Sequence, residues 1–215
     1  MTPASVTGLA RFVVPAPAPE RPAAVATERC EMCGEQIASE HLHLVDVQER
    51  ALKCVCRPCG LLFTDVGAGG GRFRTSGQRW LRDSGGELTV AQWNLLQVPV
   101  GLVFVFRNSV LASYVACYPS PAGATESLLR PDTWDSLFAA TPLAERLEPD
   151  VEALLVRRDR DEIRSYLVPI DACYELVARI RRTWRGFDGG AEARGEIDGF
   201  FARVAEFSRP LQESG

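Results

Sequence analysis

Two pairs of cysteines are the residues of this chain best suited to chemistry. Cys30 and Cys33 form one Cys-x-x-Cys pair, and Cys56 and Cys59 form a second pair after 22 intervening residues. This spacing lets both sulfurs of a pair reach one tetrahedral ion, with zinc–sulfur bonds of about 2.3 Å. A glycine follows each pair, where a tight turn brings backbone amides towards the sulfurs. The pattern therefore predicts a structural metal site with four cysteine ligands and favours zinc as the ion.

The residues between the two pairs must position them, and they alternate as two strands do. Residues 41–47 and 51–55 read as strands, joined by a polar turn at residues 48–50. Such a hairpin carries the second pair back to the first, which is the architecture of a zinc ribbon. Because four protein ligands leave no position for water, the site is expected to support folding rather than catalysis.

Three further residues are alternative ligands. Cys54 lies two positions before Cys56, so on a strand it points to the same face, near the metal. It is an alternative ligand, a redox-sensitive thiol or a small half-buried core residue. His41 and His43, the two histidines of the chain, are candidates for a mixed site.

Iron is the alternative to zinc, because a tetrahedral set of four sulfurs suits both metals. An iron site would make the chain a rubredoxin-like electron carrier, which also needs an aromatic core around the metal. No Phe, Trp or Tyr lies between the two cysteine pairs, and Phe63 is the nearest. We therefore expect zinc and keep the electron carrier as a rival.

Composition divides the chain into four parts. Residues 1–28 hold five prolines and seven alanines, so we expect an extended, polyproline-like tail. Residues 29–64 are the predicted zinc ribbon. Residues 65–88 are a junction that contains a run of glycines, and residues 89–210 are a second domain.

Hydrophobic periodicity makes this second domain a set of antiparallel hairpins and helices. The predicted strands are residues 101–107, 110–118, 151–157 and 163–170, with a loop at 119–125. Helices are predicted at 89–96, capped by Thr89, at 132–140 and at 143–147. Two closing helices bury apolar stripes made of Cys173, Val177, Ile180 and Trp184, and of Ile197, Phe200, Phe201, Val204 and Phe207. The predicted fold class is α+β, with an N-terminal zinc ribbon followed by a domain of antiparallel sheet and helices.

Charge and hydropathy exclude several classes of protein. The 215 residues are 46% hydrophobic and 24% charged, with a net charge of −4, so a nucleic-acid partner is not expected. No apolar run reaches the roughly 18–20 residues that span a bilayer, so membrane insertion is not expected either. Seven cysteines, an odd number, favour a metal site in a reducing cytoplasm over a secreted disulfide framework.

The sequence contains no catalytic constellation that we recognise. Both histidines lie in the predicted ribbon, which leaves the second domain without a histidine base. The segment from Tyr118 to Ser127 is rich in small and hydroxyl residues and follows a buried strand, as ligand-binding loops often do. Candidate residues for a partner or small-molecule surface are Tyr118, Ser120, Thr125, Glu126, Trp184 and Arg185.

Several long motifs resemble one known family. They include Cys-Val-Cys-Arg-Pro-Cys-Gly-Leu-Leu-Phe at 54–63 and further stretches at 67–74, 99–104, 118–127, 147–155 and 183–186. With the first cysteine pair they resemble uncharacterised actinobacterial proteins of about this length, classed only as a domain of unknown function. The resemblance covers residues 8–208. Members tend to be encoded beside oxygen-tolerant, high-affinity NiFe-hydrogenases, so the resemblance implies a cytoplasmic accessory protein that binds a hydrogenase subunit or maturation factor, with no catalytic residues carried over.

The leading interpretation is thus a non-catalytic, zinc-binding adaptor or maturation factor. One rival is the rubredoxin-like electron carrier with iron at the same sulfurs. A second rival is a small-molecule binder or enzyme built around residues 118–127.

Overall fold

The computed structural model describes residues 28–83, 88–98, 100–120, 123–138, 141–160, 162–186 and 189–211. The predicted extended tail lies outside the described residues, apart from Glu28. The strands are β1 Leu42–Asp46, β2 Ala51–Val55, β3 Phe73–Thr75, β4 Leu81–Arg82, β5 Leu102–Asn108, β6 Ser113–Ser120, β7 Gly123–Leu128, β8 Glu152–Asp159, β9 Glu162–Pro169 and β10 Arg209–Pro210. The α-helices are α1 Arg57–Leu61, α2 Val90–Leu95, α3 Pro131–Phe138, α4 Pro142–Glu145, α5 Ile170–Thr183 and α6 Gly190–Phe207.

Strands β4 to β10 form one large sheet, in the order β10-β4-β9-β8-β5-β6-β7. Its neighbouring strands are antiparallel, apart from the parallel pair β10 and β4. Alternate residues of the central strands pack on α5 and α6 on one face, and on α2, α3 and α4 on the other. This arrangement of helices around a largely antiparallel sheet confirms the predicted α+β class.

The start of α2 agrees with its sequence signal. Thr89 accepts a hydrogen bond from the Gln92 backbone N–H at 3.3 Å, while the Gln92 side chain accepts one from the Thr89 backbone N–H at 2.8 Å. This reciprocal pair satisfies two amides that the first helical turn leaves without partners.

The predicted loop at 119–125 is wrong for its described residues, since Pro119 and Ser120 continue β6 and residues 123–125 begin β7. Tyr118 is paired with Thr125, and Pro119 with Ala124. The pairing of β6 with β5 extends only as far as Cys117, so at Pro119 the strand has a partner on one side only. A proline can occupy such a position because its missing N–H removes no bond from a central ladder.

The closing helices bury most of their predicted stripes. The main core lies between the large sheet and helices α5 and α6. It contains Cys173, Val177 and Ile180 of α5. It also contains Phe200, Phe201 and Val204 of α6. Phe207 is an exception: it is the last residue of α6, 59% exposed, and packs edge-on against Trp80. Among the described helices, none combines the length and the apolar character needed to cross a membrane.

A second, smaller sheet has the order β2-β1-β3 and contains the predicted hairpin. Strands β1 and β2 pair in an antiparallel register that places His43 opposite Cys54. The third strand, Phe73–Thr75, comes from the segment between the ribbon and the α+β domain. The glycine run before it forms a short 3₁₀ segment, Ala68–Gly71.

The small sheet is packed onto the α+β domain and shares its core. Leu44 and Val55 face a small core with Cys30, whereas Val45 and Val47 belong to the main core with residues of the large sheet, α5 and α6. Because successive side chains of a strand point to opposite faces, Leu44 enters the small core and its neighbour Val45 enters the main core.

The turn between β1 and β2 is held by a buried carboxylate. Asp46 is fully buried and accepts hydrogen bonds from the backbone N–H groups of Gln48 and Glu49. Its other oxygen, Oδ2, accepts two hydrogen bonds from the Arg72 guanidinium, at 3.0 and 2.8 Å. The bond from Arg72 outweighs the effect of burial and lowers the pKa of Asp46.

We expect Asp46→Asn to lower the melting temperature at pH 7 by about 2–4 °C, because the buried group loses its ion pair. Since the folded-state pKa of Asp46 is lowered, its stabilisation is complete above the ordinary carboxyl pKa of about 4 and declines as the pH falls. The difference from the native chain should therefore shrink as the pH falls below about 4 in scanning calorimetry.

Glu162→Gln is the matched control, because it breaks an ion pair with Arg164 in which the Glu162 side chain is 53% exposed. Its effect should stay below about 1 °C. An Asp46→Asn deficit that is unchanged down to pH 3 would show that the charge of Asp46 is not what stabilises the turn.

Candidate metal centre

The first cysteine pair lies in a tight turn just before β1. The Gly34 backbone N–H donates to the Cys30 carbonyl at 2.8 Å, which closes the turn around the two sulfurs. Gly34 has a φ of +79°, a left-handed conformation that glycine adopts without a steric penalty. Arg29 braces this turn through a bond from its guanidinium to the Gly34 carbonyl.

The second pair lies where β2 runs into α1. Cys56 precedes the helix and Cys59 lies within it, and the Gly60 backbone N–H donates to the Cys56 carbonyl at 3.0 Å. Gly60 is needed for space: a Cβ there would lie 2.7 Å from Leu42 Cδ1. Gly34 is thus required by its left-handed backbone conformation, and Gly60 by the lack of space for a side chain.

The hairpin brings the four sulfurs together. The Sγ atoms of Cys30, Cys33, Cys56 and Cys59 all lie within 4.8 Å of one another. The Cys33 and Cys56 sulfurs are 3.7 Å apart, and four sulfurs bound at about 2.3 Å to a central ion lie about 3.8 Å from each other. All seven cysteines of the chain lie among the described residues, and none of them forms a disulfide. The four therefore form a site that could hold one metal ion.

The thiols of this site differ in acidity. Burial opposes ionisation of Cys30, but backbone N–H groups of Cys56, Cys33 and Met32 outweigh it and lower the pKa of Cys30 to about 6. Hydrogen bonding with the Cys56 side chain, followed by burial, raises the pKa of Cys59 to about 12. A metal ion that binds here must therefore displace the thiol proton of Cys59.

Cys54, His41 and His43 form a second group instead of joining the four sulfurs. One ligand atom from each of these three side chains lies within 4.8 Å of the others. The His43 Nδ1–H also donates to Asp171 Oδ2 at 2.9 Å. Asp171 lies 128 positions along the chain, in the first turn of α5, and no spacing or motif in the sequence connects it to His43.

The two remaining cysteines are buried core residues: Cys173 lies in the predicted apolar stripe of α5, and Cys117 lies in β6. Cys117 and Cys173 have no exposed surface. Burial raises the pKa of Cys117 to about 12 and that of Cys173 well above its usual value. Neither thiol is available as a ligand at the metal centre.

Three of the candidate surface residues meet in one cavity. Tyr118 and Ser120, at the end of β6, line a cavity of about 700 Å³ together with Trp184, which follows α5. Arg157 of β8 and Asp198 of α6 also line it and form an ion pair with each other. This volume is typical of small-molecule sites.

The other three candidates lie elsewhere. Thr125, on β7, is the cross-strand partner of Tyr118 and is not among the residues that line this cavity. Glu126 forms an ion pair with Arg50 and so links β7 to the small sheet. The exposed Arg185 guanidinium bonds the Trp184 carbonyl.

Fold and site together define the class of protein: a zinc-ribbon-like element with four clustered cysteines, packed against a largely antiparallel sheet with helices on both faces. The chain belongs to the family of unknown function DUF5947, which matches residues 29–208. The match therefore includes all four clustered cysteines and extends beyond α6. No curated protein and no solved structure matches the chain.

Removal of one clustered sulfur should empty this centre. We expect Cys33→Ser to lose the bound ion and to loosen the small core around Cys30, Leu44 and Val55, because folding of such ribbons is coupled to metal binding. Elemental analysis measures the ion, and hydrogen exchange should speed up in residues 29–62 while β5, β8 and β9 keep their protection.

Met32→Ser is the matched control, since Met32 lies between the first two cysteines and its side chain is 38% exposed. It should keep the ion and the exchange pattern of the native chain. Retention of the ion by Cys33→Ser, with native exchange, would show that the ligand set is different.

Proposed function

We propose that this chain is a non-catalytic, zinc-binding accessory protein that works by binding a partner protein. The partner would be a subunit or maturation factor of a NiFe-hydrogenase system in the cytoplasm. The observation that carries the proposal is the clustering of four sulfurs at the separations of a closed tetrahedral site.

A closed set of four sulfurs favours a structural role. With all four positions of the ion taken by cysteines, no water or substrate can coordinate it without displacing a ligand. The ion would therefore hold the two turns and the small core in place. Zinc has no redox chemistry, so it would fix the shape of this end of the molecule without transferring electrons.

Two observations support a protein partner. After the second cysteine pair and Gly60 come Leu61 and Leu62, which are 53% and 68% exposed. Large apolar side chains in such positions are common at protein contacts. The hydrogenase connection is supported by the resemblance of the sequence motifs described above.

Metal analysis tests the first part of the proposal. Protein purified without added metal should hold zinc at the four sulfurs and show no visible absorption band, and Cys59→Ser should lack that ion. Iron with thiolate-to-iron absorption and a reversible reduction would overturn the structural role and make the chain an electron carrier.

Affinity capture tests the partner. The tagged native chain should recover a hydrogenase subunit or maturation factor from cells that express the hydrogenase, and the ribbon-disrupted Cys33→Ser should recover much less. Met32→Ser again serves as the control. Equal recovery by the native chain and Cys33→Ser, or recovery of no hydrogenase component, contradicts this part of the proposal.

A second candidate function is small-molecule binding, for which the cavity beside Tyr118, Ser120 and Trp184 is the specific observation. Its lining offers two aromatic side chains and groups of both charges. A ligand there would bind between the ends of the central strands and α6, on a surface separate from the cysteine centre.

A further inference from the structure

The ribbon presents a second set of metal-binding side chains on the face that packs against the α+β domain. His43 and Cys54 are direct partners across β1 and β2, so their side chains emerge on the same face. His41 lies just before β1, and its ring centroid is 4.8 Å from that of His43. A nitrogen of each ring and the Cys54 sulfur all lie within 4.8 Å of one another.

Hydrogen bonds determine which nitrogen of each ring is free. His41 Nδ1 lies 2.9 Å from the Ala38 carbonyl, which can only accept, so this nitrogen carries a proton. His43 Nδ1 donates in the same way to Asp171 Oδ2 at 2.9 Å. In the neutral form of each ring, the form that binds a metal ion, the lone pair is therefore on Nε2. A carbonyl or carboxylate behind the ring is the usual support of a metal-binding histidine.

An independent observation also points to a ligand. The His41 side chain is only 8% exposed, and its Nε2 is buried without a hydrogen-bond partner among the described residues. Buried polar atoms of native proteins are almost always satisfied, and an exception needs an explanation. A metal ion bound to this nitrogen provides one.

We propose that His41, His43 and Cys54 form a second metal site, distinct from the four-cysteine centre. It would bind a divalent first-row transition-metal ion such as zinc, cobalt or nickel. The ligands would be two Nε2 atoms and one thiolate, and the fourth position would be open to water.

The donor set determines the class of ion. Imidazole and thiolate suit zinc, cobalt and nickel, whereas magnesium and calcium require oxygen ligands. Three protein ligands and an open position are typical of sites whose ion exchanges ligands, in contrast to a closed structural site. This site therefore goes beyond the proposed structural function.

The surroundings of the three ligands hold them in position. Glu31 binds the Cys54 backbone on both sides: its carboxylate accepts from the Cys54 N–H at 2.7 Å, and its own N–H donates to the Cys54 carbonyl at 2.9 Å. Asp171 also accepts from the Ser76 hydroxyl at 2.9 Å, which fixes the carboxylate behind His43. The site thus joins β1 and β2 to the start of α5.

The His41 side chain borders a surface cavity. It lines this cavity, of about 440 Å³, together with Leu42, Cys56 and Arg57. An ion that enters the site from this cavity must pass the His41 side chain, whose Nε2 is buried.

The chain offers a direct test, because His41 and His43 are its two histidines. Zinc is added to native protein whose four-cysteine centre is already loaded, and the ring nitrogens are followed by nitrogen-15 NMR. Both Nε2 signals should shift together and saturate at one added equivalent. Rings that stay unchanged with excess zinc overturn the proposal.

Cobalt titration of variants tests the thiolate. In the native chain, one cobalt equivalent beyond the loaded centre should give near-ultraviolet thiolate-to-cobalt absorption, and Cys54→Ser should abolish that band. Lys53→Gln is the matched control: Lys53 neighbours Cys54 but is paired with Leu44, on the opposite face, and should keep the band. An unchanged band in Cys54→Ser overturns the assignment of the sulfur.

The two metal sites fail independently. If the native chain holds no zinc at the four cysteines but the His41 and His43 rings still respond to added zinc, the proposed structural role of the four-cysteine centre is overturned. The site formed by His41, His43 and Cys54 is then unaffected. If Cys54→Ser does not fold, the NMR titration of the native chain still decides the question.

Discussion

Strand β1 is the element on which the rest of the structure depends, because its two faces enter two different cores. Leu44 faces the small core with Cys30 and Val55, beneath the four sulfurs. Val45 faces the main core, and His43 meets Asp171 at the start of α5. A shift of one residue in the register of β1 would exchange these faces, so both metal-binding groups and the packing of the ribbon depend on one alignment.

The ribbon differs from a small module on a flexible linker. Its side chains contribute to the hydrophobic core of the α+β domain, and polar contacts reinforce the packing. Arg50 pairs with Glu126 of β7, Arg74 with Glu148 before β8, and Ser76 bonds Asp171. An ion at the four sulfurs would therefore stabilise a unit that is already attached to its neighbour.

The two groups of ligands would give the protein two kinds of metal chemistry. Four sulfurs close the coordination sphere and favour a permanent ion, whereas two imidazoles and one thiolate leave a position open. The groups share a strand, since Cys54 and Cys56 are two residues apart, and Glu31 of the first cysteine turn holds the Cys54 backbone. The four cysteines and the group of His41, His43 and Cys54 therefore lie on neighbouring parts of one small sheet.

Short-range patterns in the sequence were enough to predict the four-cysteine set, the hairpin between its pairs, the capped start of α2 and the buried faces of α5 and α6. Each depends on spacing over a few residues, where the geometry of a turn, strand or helix determines which side chains meet. The pairing of β6 with β7 was missed because proline and small residues resemble a loop until the neighbouring strands are known. The meeting of Tyr118 with Trp184, and of His43 with Asp171 across 128 positions, was decided only by the tertiary structure, because packing of the ribbon and α5 onto one sheet brings distant segments together.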